Sequence, residues 1–365
     1  MSRKKLIALL ILLIVVSMGV LIAVIAFTGS AINKKQENRY HTEGVSGSVE
    51  LATSDMNLHK GMTRSRLTGQ WIDESTGNLV PYAVMYNNIY DAIPQSGISE
   101  ADIVMESLVE GGITRLCCLF ENKTSLEKIG PVRSCRTYFL LFAKEFEAIY
   151  VHFGYSDFAK PYLDNPQMHA LDGETQCNFY RTADRIAPHN AYTSWSGITE
   201  SAVNNGYSLV YPDNYISPFK FNTEDSSVIT PTSDLKCDRI DLYYPHNMPW
   251  FEYNKVDCKY YRYQFDEPHI DEQTGQQLVF DNIIVKYVEP EYFDNGTPDY
   301  KVDGTGTGYF ISNGLAAPIT WKKDKELSGP TRYYYTDGKE ITLNTGKTYI
   351  ALVQTDTGIS ITGEE

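Results

Sequence analysis

Between Glu106 and Gly154 the apolar and polar positions spell a hairpin, a loop, a helix and a strand in unbroken succession. Two strand-like runs, 104–110 and 113–120, flank Gly111-Gly112, a dipeptide suited to a two-residue primed turn. With those glycines as the loop, Glu110 faces Ile113 and Leu108 faces Arg115. Glu106, Glu110 and Arg115 would then share one face, each carboxylate diagonal to the guanidinium. Residues 129–134 form a loop, with Ser134 as the expected N-cap of a helix that starts at Cys135. Phe139, Phe142, Ala143 and Phe146 recur on one side of it. A strand over 148–154 follows, with Tyr150, His152 and Gly154 alternating against Ile149, Val151 and Phe153.

The remaining pattern predicts a strand over 82–87 and a turn-rich connector over 91–99. A short helix is expected from Ser156 to Leu163, with Pro161 in it. Residues 179–185 are polar and irregular, and Ala187-Pro188-His189-Asn190 reads as a loop. Ser196 is expected to cap a helix that runs to Asn205 and stops at Gly206. From Tyr207 helical periodicity fades and tyrosine becomes frequent. Strands are expected over 237–244, 255–265, 282–288, 309–312, 319–322, 332–335 and 348–354, with a hairpin turn at Asp337-Gly338. Residues 301–308 hold Gly304, Gly306 and Gly308 without the Lys-Ser/Thr of a phosphate-binding loop, and read as a strand-end loop. The fold class is α+β or α/β: an N-terminal mixed sheet with packed helices over 67–206, a connector over 207–236, a smaller β-rich C-terminal domain over 237–358 and a tail over 359–365.

Residues 6–27 are almost purely apolar and long enough to span a bilayer. Arg3, Lys4 and Lys5 precede them, so a signal anchor with its N-terminus in the cytoplasm (1–5) and its bulk outside is expected; cleavage near residues 28–31 is the alternative. Residues 28–66 read as a flexible polar tether. The formal charge is −14. Residues 1–39 hold Arg3, Lys4, Lys5, Lys34, Lys35 and Arg39 against Glu37 alone, so the rest is still more acidic. Such a surface argues against nucleic acid as a partner and for any anion site being local.

The candidate chemistry lies at the turning points. Arg133 and Arg136, placed at a helix N-terminus with free N–H groups, make an anion site or else pair with acids such as Glu127 or Asp157. His152 ends a strand, where ligands bind in open α/β sheets. His189 and Asn190 offer donor and acceptor groups from a loop, or Asn190 caps its own turn. The six cysteines include no C-x-x-C, and the histidines show no zinc spacing, so neither metal nor cofactor is expected. Cys237 with Cys258 is the first disulfide to test.

VEGGITR, IGPVRSCR, AIYVHFG and APHN, in this order, resemble the YerB-like family of bacterial envelope proteins of unknown function. The resemblance covers residues 67–358 and implies an α/β portion followed by a β-rich one, with no established activity. Many of those relatives look lipid-anchored through a cysteine after the signal peptide; here no cysteine precedes Cys117. Two functions follow as expectations. In one, the chain binds an anionic, phosphate- or carboxylate-bearing cell-wall or lipid-linked ligand through Arg115, Arg133, Arg136, Glu106, Glu110 and Asn190, with His152 or His189 as acid or base if the protein is an enzyme. In the other, it is a non-catalytic scaffold whose arginine–glutamate set is an internal ion-pair network and whose β module binds a protein or glycan.

Overall fold

The structure is a computed structural model that describes residues 59–224, 227–325 and 327–364. The apolar segment 6–27 and most of the tether lie outside them. Among the described residues no helix is long and apolar enough to cross a membrane. The chain is already folded before Leu67, because Met62–Arg64 pairs with Trp71–Asp73.

Ten strands form the main sheet. They are β1 (Tyr82–Asn88), β2 (Ile103–Leu108), β3 (Thr114–Phe120), β4 (Ile149–His152), β5 (Ala170–Asp172), β6 (Asn282–Val288), β7 (Gly304–Ser312), β8 (Leu315–Lys323), β9 (Arg332–Tyr335) and β10 (Thr348–Gln354). Their spatial order is β9-β8-β7-β6-β10-β2-β3-β1-β4-β5. The sheet is mixed: β6–β10, β10–β2, β1–β4 and β4–β5 are parallel and the other pairs antiparallel. The central strands β1, β2 and β3 are buried along their whole length, hence their near-continuous apolar runs. The chain is mostly sheet with few helices: α1 (Thr137–Glu145), α2 (Lys160–Leu163) and α3 (Trp195–Asn204). Among the described residues only α1 and α3 exceed one turn. In α1, Tyr138, Phe139, Phe142 and Ala143 are buried.

A second, six-stranded sheet includes Arg239–Leu242, Trp250–Asn254, Lys259–Gln264 and Ile359–Thr362. Phe251 and Phe280 pack on Tyr349 of β10 at 4.7 and 5.3 Å between ring centroids. Lys259–Gln264 alternates strictly, so Tyr260, Arg262 and Gln264 turn inward.

Three local expectations need correction. The hairpin between β2 and β3 pairs Leu108 with Thr114 and Ser107 with Arg115. Its loop is three residues, Glu110 to Gly112, closed by the Val109 N–H donating to the Ile113 carbonyl at 2.8 Å. Both glycines have positive φ. The register is one residue off the expected one, and that slip turns Glu106 and Arg115 to opposite faces. At α1 the N-cap is Arg136, not Ser134, and no side chain caps it. At α3 the N-cap is Ser194, whose hydroxyl accepts from the Gly197 N–H at 3.1 Å.

Gly304, Gly306 and Gly308 lie inside β7 rather than in a loop. The Trp321 ring covers Gly306, where a Cβ would sit 2.6 Å from it, and a Cβ at Gly308 would stand 1.9 Å from the Val285 carbonyl oxygen. Gly308→Ala is therefore expected to lower stability by about 2 kcal/mol through forced separation of β6 and β7, measured by urea denaturation.

All six cysteines are free thiols, so the Cys237–Cys258 disulfide does not form; Cys237 is buried and Cys258 exposed.

Candidate functional site

Strands β1 and β4 run parallel through Val84 and Val151. Beyond that point residues 131–135 wedge between them. Arg133 N–H donates to the Met85 carbonyl and Asn87 N–H to the Pro131 carbonyl, at 2.8 and 2.9 Å. On the other side Phe153 N–H donates to the Arg133 carbonyl and Cys135 N–H to the Gly154 carbonyl, at 3.0 and 2.9 Å. The wedge thus holds Arg133 at the carboxyl ends of two parallel strands.

Four of the expected site residues meet here. Arg136 grips Glu110 in a two-pronged pair, with Nε to Oε1 and Nη2 to Oε2 both at 2.6 Å. Its Nη1 donates to the Cys135 carbonyl at 2.7 Å. Arg115 is buried; its Nη1 donates to the Ser134 carbonyl at 2.6 Å, and its Nε has no partner. Burial first, then the charges of Arg136 and Arg133, pull its pKa down to about 10. Among the described residues the Arg133 guanidinium makes no hydrogen bond or ion pair. Burial lowers its pKa too, reinforced by Arg136 and Arg181 and opposed by Glu110. Three guanidiniums therefore share one carboxylate. Glu127 and Asp157 make no ion pair with any of them.

The loop carrying His189 and Asn190 borders this cluster. Asn190 donates through Nδ2 to the Thr182 and Arg185 carbonyls at 2.8 and 3.1 Å, and its Oδ1 accepts from Arg181 Nη1 at 2.8 Å. It holds the loop and aims Arg181, whose guanidinium lies 4.7 Å from the Phe153 ring centroid. Asn190 is thus spent on the loop itself. Asn87 Nδ2 donates to His189 Nδ1 at 2.8 Å, so Nε2 carries the proton. Burial and Arg133 lower the His189 pKa, and Asp91 opposes them. Arg181 belongs with the cluster, although in sequence it looks like one more polar residue in an irregular stretch.

Two expected residues lie elsewhere. Glu106 is fully buried. Its carboxylate accepts from Asn88 Nδ2 at 3.1 Å, Thr114 Oγ1 at 2.6 Å, Asn247 Nδ2 at 2.6 Å, Arg262 Nη2 at 2.6 Å and the Tyr349 hydroxyl. Arg262 also donates to His269 Nδ1, and His269 Nε2–H donates to Gln95 Oε1 at 2.7 Å. Glu106 is a core residue and no part of a pocket floor. His152 faces a separate cavity of about 230 Å³. Cys135 is buried, and burial pushes its thiol pKa up to about 12. Among the described residues no cluster of His, Cys, Asp and Glu is arranged to hold a metal ion.

Comparison with known proteins bears on this arrangement as a whole. The "Protein of unknown function (DUF3048) N-terminal domain" matches residues 67–208, and the corresponding C-terminal domain matches residues 240–350. The chain belongs to the DUF3048 family. The "Putative lipoprotein YerB" of Bacillus subtilis (strain 168) is 32% identical over 294 residues, spanning 80% of this chain and 86% of that protein. The crystal structure of the YerB protein from Bacillus subtilis superposes with a TM-score of 0.72 at 29% identity, covering 82% of this chain and 99% of that one. The DUF3048 N-terminal match contains every arginine of the cluster together with His189. The buried Glu106–Arg262 pair joins the N- and C-terminal DUF3048 matches.

Proposed function

We propose that this DUF3048 member binds an anionic, phosphate- or carboxylate-bearing envelope ligand at the Arg133 cluster. The observation that carries the reading is the unpartnered Arg133 guanidinium beside Arg136, Arg115 and Arg181 with one carboxylate among them. Such a surplus is costly without an anion and favourable with one. Arg133 and Arg181 would contact the ligand, and His189 would add its Nε2–H. Arg136 is held in place by Glu110, and Arg115 contributes charge from beneath. A lipoprotein relative and the apolar segment 6–27 support a membrane-held protein with its bulk outside the cytoplasm, where cell-wall and lipid-linked phosphates occur.

The test is thermal unfolding of the full-length chain with inorganic phosphate, pyrophosphate and neutral glycans, run beside Arg133→Gln. At about ten times the dissociation constant, phosphate or pyrophosphate should stabilise the wild type by about 1.4 kcal/mol. Arg133→Gln should lose that response. It should melt no lower than the wild type without ligand, since the substitution removes like-charge repulsion. A variant that melts lower, with no response in the wild type, would make the arginines a structural network and leave the scaffold reading in its place.

A further inference from the structure

The cavity at the carboxyl ends of β4 and β5 stands apart from the arginine cluster, and nothing in the reading above uses it. His152 forms part of its wall and is 2% exposed. Its Nδ1–H donates to the Gly154 carbonyl at 2.8 Å, which leaves the lone pair on Nε2. Among the described residues that atom has no partner, and His152 lines the cavity. Asp172, the last residue of β5, spends Oδ1 on the Gly154 and Glu174 N–H groups at 2.9 and 3.0 Å. Its Oδ2 likewise has no donor among the described residues. Two acceptors on neighbouring strand ends therefore line one cavity with nothing to accept from. Burial holds His152 below its ordinary pKa against the pull of Asp172, so the acceptor persists at neutral pH.

The rest of the lining sets the class of ligand. Lys160 is already paired with Asp164 at 2.9 Å, so Asp172 leaves the rim one negative charge in excess and an anion is disfavoured. Tyr155 is exposed at the mouth, and Tyr207 lines the cavity with its ring stacked on His169 at 4.6 Å. Aromatic faces beside unpaired acceptors suit a molecule with apolar C–H surface and several donors. The volume, about 230 Å³, is below the ~300–1,000 Å³ of sites that take drug-sized molecules, which fits a single ring.

We propose that this cavity binds one ring of a neutral, hydroxyl-rich ligand, a sugar unit, with His152 Nε2 and Asp172 Oδ2 accepting from neighbouring hydroxyls. It is independent of the anion site and stands or falls without it.

The test is a titration of the full-length chain, labelled with ¹⁵N in histidine, with glucose, N-acetylglucosamine, ethylammonium and inorganic phosphate. A saturable shift of the His152 Nε2 resonance with either sugar at about millimolar concentration, and none with phosphate or ethylammonium, is the expected result. Thr175→Trp fills the cavity from an exposed rim position without touching the core, and should weaken the sugar response about tenfold or more with the rest of the spectrum unchanged. His152→Ala should do the same in saturation-transfer measurements on the sugar protons. A His152 resonance that neither sugar moves, or that ethylammonium moves instead, would overturn the proposal. So would a sugar response that survives Thr175→Trp.

Discussion

Arg262→Ala is expected to destabilise the protein by about 3–5 kcal/mol, making it among the most damaging single changes available outside the apolar core. The substitution strands the Glu106 carboxylate at the centre of the molecule with four neutral donors and no cation. Burial alone would lower the Arg262 pKa, and Glu106 with Tyr349 more than offsets it. Arg262 is therefore held charged by its surroundings. Removing both charges with Glu106→Leu/Arg262→Met should cost much less than the single change. A hydrophobic pair removes the stranded ion, although it leaves Asn88, Thr114 and Asn247 short of an acceptor. Chemical denaturation of the single and double variants measures both figures. A single variant within about 1 kcal/mol of the wild type would mean that water reaches Glu106.

Acidification should weaken the fold before its carboxylates titrate. His269 is buried against Arg262, and burial with that charge holds its pKa well below the ordinary histidine value. Its Nδ1 must accept from a guanidinium, so the neutral form is built into the network. The unfolded chain takes up a proton below about pH 6.5 and the folded one does not. The stabilisation is thus complete above pH 6.5 and is lost as pH falls toward the folded-state pKa. The slope approaches ~1.4 kcal/mol per pH unit, about 2 kcal/mol by pH 5. His152, with its pKa lowered by burial, acts in the same direction. His269→Gln keeps one acceptor for Arg262 and one donor for Gln95. It should flatten the slope between pH 6.5 and 5 by about one proton, read from unfolding free energies across that range. An unchanged slope would place the titrating group elsewhere.

The elements were legible in the sequence to differing degrees, for physical reasons that differ by residue. The strands 282–288, 332–335 and 348–354 match β6, β9 and β10 end to end, because β-branched and aromatic runs between turn residues leave little choice. Trp250–Asn254 carries little strand signal: it sits half-buried in the second sheet, and its Glu and Asn read as polar loop. The hairpin register failed on one residue. Gly111-Gly112 fits a two-residue turn as well as a three-residue one, and only the pairing partner of Ser107 decides between them. That single slip separated Glu106 from Arg115 and hid the true cation partner, 156 positions away. A signal for it did exist. If Tyr260 points inward, alternation carries Arg262 and Gln264 inward with it, and a buried arginine requires a buried acid. Arg115, Arg133, Arg136 and Glu110 stand at turning points in the sequence, and the fold brings their side chains together. The role of Arg181 is not legible there, because it depends on Asn190 folding the 182–190 loop back on itself.

The position of β10 has a consequence for how the chain is made. β10 lies between β6 and β2, parallel to both, and its residues are synthesised long after those of β2. Until they emerge, β2 has an open edge on one side and the Glu106 carboxylate lacks the Tyr349 hydroxyl and much of its cover. The N-terminal half can therefore gather locally, through the hairpin and the β1–β3 pairing, but cannot close. Contacts spanning some 240 positions must form last, which favours slow, all-at-once completion over growth from the N-terminus. In the meantime a nascent chain would present two unpaired strand edges to its neighbours, a state that benefits from protection until β10 slots in.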